Sequence, residues 1–324
     1  MLHKNWITST FTLVVITFFW TSSAVAQAWP ARPIKLVVPF PPGGLIDNMA
    51  RLVAPKLAQE LGQPLVIDNK PGAGGNLGAA EVARASADGY TLLMASPPLT
   101  ISPALYAKLP YKPEQIVPVG LLGRVPNVLV VNPASGIASV ADLTARIKAR
   151  PGQLNYASNG QGTSLHLSAE LYKSQAEIFV THIPYRGAAA GLTAVMADEV
   201  NMMFDNLPSA LGLINGGKLK ALAVTTPQRS SVLPNVPTME EAGLKGYQVF
   251  SWFGVAAPEG LPPAIQLKIE QALERVANQV EVKAAMLKAG AEPTWLNGQG
   301  MGLFMQTDTM QWKKVAAYAK ITLD

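Results

Sequence analysis

The stretch "PFPPGGLIDNMARLVAPKLAQELG" (Pro39–Gly62) decides the fold. The run that ends in it, "IKLVVPF" (Ile34–Phe40), reads as a buried strand, and two prolines and two glycines follow. Leu45, Met49, Leu52, Val53, Leu57 and Leu61 then recur at helical spacing, with Gly62 where a helix C-cap belongs. Pro55 lies inside the pattern and predicts a kink. Strand, bare loop and helix in direct succession are the unit of an α/β protein. The first turn of such a helix has amide N–H groups without partners and a partial positive charge. Glycine lets a ligand approach that backbone, so the loop is a ready anion site for carboxylate or phosphate.

The unit recurs along the chain. "LVIDN" leads through "KPGAGG" into "NLGAAEVARA", and "YTLLMAS" into "PPLTISPALYAKL". After "NVLVVN" comes "ASVADLTARIKAR", where Ser139 and Asp142 predict a variant capping box. "LNYASN" leads through "GQGTS" into "LHLSAELYKS", and "EIFVTHIPY" through "RG" into "AAAGLTAVMADE". "VNMMFDN", "LKALAVTT" and "GYQVFSWFGVAAP" read as further strands, and amphipathic helices take up most of the remainder. This alternation predicts a parallel-rich α/β fold with helices on both faces and its glycine loops gathered at the carboxyl ends of the strands. The extended segments "GRVPNVLVV" and "GYQVFSWFG" read as crossovers. They divide the chain into a discontinuous first lobe, residues 29–127 with 251–324, and a second lobe, 128–250.

Composition narrows the function. The chain has 324 residues, 49% of them apolar, and no cysteine. It can therefore furnish two cores, and it offers no disulfide, thiol nucleophile or zinc–thiolate site. "MLHKNW", "ITSTFTLVVITFFW" and "TSSAVAQA" have the three-part layout of a secretory signal peptide, residues 1–28, with cleavage after Ala28 preferred to Ala26. The apolar run falls short of the ~20 residues that cross a bilayer. The expectation is an exported, soluble, periplasmic protein. Its formal charge of +5 drops to +4 when Lys4 leaves with the leader. Lys and Arg do not cluster with aromatics, so no nucleic-acid partner is expected.

Four loops have the anion-site pattern: Pro41–Gly44, Pro71–Asn76, Asn159–Ser164 and Tyr185–Ala188. Each has a purely architectural alternative, and "PGAGG" is the one best explained that way. "GAGGNLG" has Leu77 where a dinucleotide fingerprint needs glycine, and "GLINGGKL" has Leu219 where a P-loop needs Ser or Thr. His166 and His182 are the histidines beyond the leader, and neither a Gly-x-Ser-x-Gly elbow nor a His-Glu-x-x-His motif occurs. Catalytic residues, metal and cofactor are therefore not expected, and an enzyme acting on a carboxylate is the least favoured class. His166 stands open between ligand contact and capping of its loop; His182 reads as structural. Asp47 either orients its loop or touches the ligand, and Asp205 would serve a ligand carrying an ammonium or hydroxyl. Arg186 either forks onto a carboxylate or stays solvated.

Taken together, "WPARPIKLVVPFPPGGLIDNMAR", "GQPLVIDNKPGAGGNLGAAEVARASADGYTLL", "PGQLNYASNGQGTSLHL", "IPYRGAAAGLTAVMADEVNMMFDNLPSAL" and "LPNVPTMEEAGLKGYQVFSWFGVAAPEGLP" resemble, in that order and over nearly the whole mature chain, the solute receptors of tripartite tricarboxylate transporters, Bordetella uptake type. The resemblance implies a type II periplasmic binding protein, two α/β lobes with a ligand cleft between them. Its ligand would be a small organic anion: a di- or tricarboxylate, an amino acid or an aromatic acid. Membrane permease subunits would be its partners, the receptor itself being a monomer. It implies carboxylate binding by the loop at Phe40, Pro42, Gly43, Gly44 and Asp47. The opposite lobe would answer with Asn159, Gly160, Thr163, Ser164 and His166, and with Asp205 and Asn206. "ASPPLT" holds the place of another ligand-facing loop, with Ser96 and Thr100, although its two prolines depart from the family pattern. A sensor that presents its closed form to a signalling protein would need the same cleft.

Overall fold

The computed structural model describes residues 29–321, and the predicted signal peptide lies outside them. β1 (Ile34–Val38) is buried at four of its five residues, so it needs helices on both sides. α1 (Leu45–Leu61) covers one face. It continues through Pro55 as one helix. Arg51 and Pro55 both lie on the exposed side, so water can reach the Arg51 carbonyl that Pro55 cannot serve. Gly62, at φ 74°, closes the helix by donating its N–H to the Ala58 carbonyl at 2.9 Å.

The following units are β2 (Leu65–Asn69), α2 (Asn76–Ala83), β3 (Thr91–Ala95) and α3 (Pro98–Leu105). Then comes β4 (Ile116–Val131), followed by α4 (Val140–Ala149), β5 (Asn155–Ser158), α5 (Ser164–Ala176) and β6 (Thr181–Pro184). After α6 (Ala188–Met196), β7 (Met202–Asn206), α7 (Leu207–Asn215) and β8 (Lys220–Val224), β9 (Phe250–Pro258) returns the chain. It ends in α8 (Pro263–Asn278), α9 (Val280–Lys288), β10 (Glu292–Asn297) and α10 (Gly298–Ala319). β10 has no counterpart in the sequence reading: its six residues are half-buried or exposed, and they carry no clear alternation.

The strand order is β2–β1–β3–β9–β4–β7–β5–β6, with β8 and β10 also paired to β4. β1, β2 and β3 are parallel, as are β5, β6 and β7, whereas every partner of β4 is antiparallel to it. β4 is the connection between the lobes. Its first part, to Pro126, runs beside β9, and Asn127–Val131 runs beside β7 and β8. Only the end of this 16-residue strand had a strand pattern in the sequence. Each lobe buries apolar residues on both sheet faces: α1 and α8 against α2 and α3 in the first, α4 and α5 against α6 and α7 in the second.

α10 belongs to both. Met301, Phe304 and Met305 pack in the first lobe, and Trp312 and Ala316 in the second. Asp308 between them accepts hydrogen bonds from the Trp252 and Trp312 indoles at 3.0 and 3.1 Å, and its carboxyl also meets the Thr100 hydroxyl at 2.6 Å.

Candidate functional site

The first lobe contributes a cradle of backbone. Gly44 begins α1 in extended conformation, and no side chain caps the helix. Asp47, in the first turn, points inward. It is buried, and it accepts hydrogen bonds from the Gly43 N–H at 3.0 Å, from Arg51 Nε and Nη2 at 2.9 and 3.0 Å, and from Asn69 Nδ2 at 3.0 Å. Burial pushes its carboxyl upward, but Arg51, Asn69 and Gly43 outweigh burial and hold it below the usual range. Asn69 also donates to the Phe40 carbonyl at 2.9 Å, so it ties both ends of the loop to β2. A Cβ at Gly44 would meet nothing within 4 Å, so the space above this loop belongs to the cleft.

The second lobe answers with side chains. Thr163 caps α5, accepting from the His166 N–H at 3.4 Å and donating to the Gly160 carbonyl at 2.8 Å. His166 Nδ1 accepts from the Gly162 N–H at 3.3 Å, and its ring stacks on His182 with centroids 4.3 Å apart. Burial, and the positive charge of Lys173, depress His166 to about 4, so its ring is neutral at pH 7. At the cleft floor a buried polar network joins the crossing strands, and Ser164, Asn206 and Ser251 of this network line the cleft. Asn206 Nδ2 donates to Asn127 Oδ1 and Ser251 Oγ, each at 2.7 Å, and Ser251 Oγ donates to Asn127 Oδ1 at 3.0 Å. Asn127 Nδ2 in turn donates to Ser168 Oγ at 3.0 Å. With the Ser251 proton on Asn127, Ser164 Oγ is the donor in its 2.7 Å contact with Ser251 Oγ.

The lobes touch at both rims of the cleft. A Cβ on Gly187 would lie 2.9 Å from Pro41, and one on Gly74 would lie 2.3 Å from the Gln161 carbonyl oxygen. Between the rims are two small hollows of about 20 Å³ and an outer chamber of about 640 Å³. The first hollow lies among the starts of α1, α3 and α5 (Leu45, Ile46, Pro97, Pro98, Thr163 and Ser164), and the second among those of α1 and α6 (Gly44, Leu45, Gly187 and Ala188). Each has room for about one water-sized group. Phe40 and Asn159 border all three spaces, and no Asp or Glu lines any of them. Partial positive charge from several helix starts therefore converges where nothing acidic opposes it.

Nine of the residues singled out from the sequence line these spaces: Phe40, Gly44, Ser96, Asn159, Gly160, Thr163, Ser164, Arg186 and Asn206. Six do not. Pro42 and Gly43 are on the exposed outer side of their loop, Asp47 is held beneath it, and His166 is in the stack behind its own. The Thr100 hydroxyl turns to the Pro97 carbonyl and Asp308. Asp205 is fully buried and neither carboxyl oxygen has a partner in hydrogen-bond geometry. Burial raises it to about 8, and the nearby Asn206 amide offsets this only slightly. Sequence reasoning missed Asn127 and Ser251, whose strands looked like plain connections, and Tyr106 and Gln161 in the chamber wall. It also read Gly72–Gly75 as architecture, yet that loop walls the chamber.

One pair imitates a catalytic dyad: Ser158 Oγ lies 2.6 Å from His182 Nε2. Ser158 is buried, off the cavity walls, and its hydroxyl also meets the Gly160 N–H and carbonyl at 3.2 Å. The pair shapes the loop. Among the described residues no group of three or more His, Asp or Glu could hold a metal ion, and no helix is long and apolar enough to cross a membrane.

Residues 49–320 match the tripartite tricarboxylate transporter family receptor. The chain belongs to that family. It is 37% identical over 311 residues to protein BugT of Bordetella pertussis, covering 94% of this chain and 95% of BugT. Among solved structures, R. palustris Rpa4515 with adipate is similar at a TM-score of 0.88 and 37% identity, over 91% of this chain and 99% of that one. MatC from Rhodopseudomonas palustris with bound malate is similar at 0.84 and 32%, over 89% and 99%. The two-lobed fold expected from the resemblance is thus the fold of these receptors. The uncapped start of α1 is the part of this cleft that presents backbone without a capping side chain.

Proposed function

We propose that this chain is a periplasmic receptor that captures a small organic carboxylate between its lobes and delivers it, unaltered, to an inner-membrane permease of the tripartite tricarboxylate type. One observation carries the reading: helix starts from both lobes converge on a cleft that no acid lines. That adipate and malate are held by two similar proteins supports the same ligand class. The receptor works as a monomer, exported by the segment 1–28. The carboxylate enters the hollows under Phe40, taking amide N–H groups of α1, the Ser96 hydroxyl and the Asn159 side-chain amide as partners.

Magnitudes fit the reading. Micromolar affinity corresponds to about −8 kcal/mol. Hydrogen bonds to a charged group contribute ~1.5–3 kcal/mol each, against an association cost of ~4–15 kcal/mol. Five or six such bonds suffice at the lower costs, and neither lobe alone supplies them. Closure is therefore part of binding, and a ligand shifts the lobes by its preference for the closed form.

Calorimetric titration with a panel of carboxylates is expected to show saturable binding of at least one member, recovered unchanged after long incubation. Silence of the folded protein across the panel overturns the proposal, and chemical conversion of the ligand would make it an enzyme. A deletion strain should lose uptake of the bound acid. If uptake persists while a transcriptional response to the acid disappears, the receptor serves signalling instead.

A further inference from the structure

Resting on the carboxylate reading above, we infer that His166 is a positioning residue for ligand capture: its neutral ring sets the peptide that latches the two lobes together, and a proton on it opens the latch. The peptide is Gln161–Gly162, in the loop that brings Asn159 and Ser164 to the cleft. Its N–H points back and donates to His166 Nδ1 at 3.3 Å. Its carbonyl points across the rim, accepting from the Tyr106 hydroxyl at the end of α3 at 3.4 Å. The same oxygen lies so close to Gly74 of the first lobe that a Cβ there would be 2.3 Å away. The N–H and C=O of a trans peptide point in opposite directions. An acceptor behind the N–H therefore aims the carbonyl at the other lobe, and Gly162, at φ 74°, permits the turn.

The nitrogen behind this peptide has to be bare. An amide N–H can only donate, so Nδ1 accepts and the ring's own proton sits on Nε2. Glu170 lies 3.9 Å from Nε2, beyond hydrogen-bond reach, and its carboxylate is already held by Lys173 at 2.7 Å and by the Tyr156 hydroxyl. His182 stacks on His166, Tyr156 stacks on His182 at 4.7 Å, and His182 ties down the start of the same loop. Thr163 already serves the Gly160 carbonyl at 2.8 Å. Ser158 therefore gives its one proton to His182 Nε2 at 2.6 Å and accepts from the Gly160 N–H at 3.2 Å. The titratable and charged groups facing the latch are thus Glu170 and Lys173 of α5, Tyr156 of β5, His182 of β6 and Tyr106; burial keeps both phenols protonated. A proton on His166 Nδ1 would set N–H against N–H and undo the bond that aims the peptide. Burial and Lys173 hold the ring at about 4 while the loop grips. Once the loop lets go, the ring returns towards about 6.5, so release gains as pH falls from there, by up to about 300-fold near pH 4.

The test follows, by calorimetry on the whole protein from about pH 7.5 to about pH 4.5, the affinity of wild type, His166→Asn and His166→Phe for the tightest-binding acid of a panel that contains adipate and malate. Asn offers an acceptor oxygen near the place of Nδ1 and does not titrate; Phe keeps a ring and loses the acceptor. Dividing wild type by variant at each pH cancels the ligand's own ionisation. At the upper pH, His166→Phe should bind at least about tenfold more weakly than wild type, and His166→Asn should restore most of that loss. At the lower pH, wild type should have lost at least about tenfold relative to His166→Asn. A ratio of wild type to His166→Asn that stays constant with pH, or full affinity in His166→Phe, overturns the inference. Should a variant not fold, the His166 ring-proton titration of wild type by NMR decides: bound ligand should lower its midpoint, and an unmoved midpoint overturns the inference. Failure of the carboxylate reading looks different, because no acid of the panel would then bind wild type at any pH.

Discussion

Two strand–loop–helix units face each other across the cleft, and their helices begin in opposite ways. α1 starts bare: no side chain caps it, and its first-turn acid, Asp47, is turned inward to grip Gly43, Arg51 and Asn69. α5 starts capped: Thr163 and His166 satisfy their own loop, and the ring of His166 is stacked away from the cleft. The same local pattern therefore supplies backbone on one lobe and side chains, Asn159 and Ser164, on the other. An anion needs both, because open amides offer charge complementarity while side chains from the facing lobe make closure worthwhile.

The sharpest way to break this comparison is Gly44→Val. Its φ of −86° suits any residue and its Cβ would meet only empty cleft, so the variant should melt as wild type does. Carboxylate affinity should nonetheless fall more than about 100-fold, some 2.8 kcal/mol. Unimpaired binding would mean that the bare start of α1 is architecture. Next in size is Asp47→Ala, which frees the Gly43 N–H and leaves Asn69 without one of its acceptors. It should cost ~2–3 kcal/mol of stability in chemical denaturation and also weaken binding, since the cradle loses its anchor. Stability unchanged in that variant would show that the loop holds its shape without Asp47.

The pH dependence of stability sharpens the contrast between the two acids. Asp205 is raised in the folded protein, so the native state holds this proton more tightly than the unfolded chain does. Its contribution to stability is therefore present at low pH and declines as pH climbs from about 4 towards 8, by up to ~1.4 kcal/mol per pH unit. Asp205→Asn should remove that decline, and the variant should melt above wild type at pH 8 with the gap closing towards pH 5. A gap independent of pH would show that Asp205 titrates normally. Asp47 has the reverse sign: depressed when folded, it stabilises above its unfolded value and loses this as pH falls through the folded one. The smallest effect belongs to Thr163→Ala, about 1 kcal/mol of stability from a lost helix cap. Its loss of affinity should stay well below that of Gly44→Val; a comparable loss would place the main charge recognition on α5 instead.

Most strands and helices were legible because burial on a sheet face or a helix stripe writes a period into the sequence, and Gly62 and Thr163 mark helix ends by local chemistry alone. β10 and the first seven residues of β4 were not, since neither shows an alternation that distinguishes strand from loop. Of the cleft, the loops were legible and the direction of individual side chains was not. Asp47, Thr100 and His166 occupy plausible positions, yet partners far along the chain or within their own loop turn them away: Asn69, Asp308 and Gly162.

The sequence by itself determined that this chain repeats a strand, a glycine loop and a helix, and where each helix begins, because those choices are settled by neighbours within a few residues. Only the tertiary structure decided that the loops of two lobes meet over one cleft, that Asn127 and Ser251 join at its floor, and that no acid lines it. Those outcomes depend on β4 and β9, separated by more than a hundred residues, lying side by side. No local period records such a pairing.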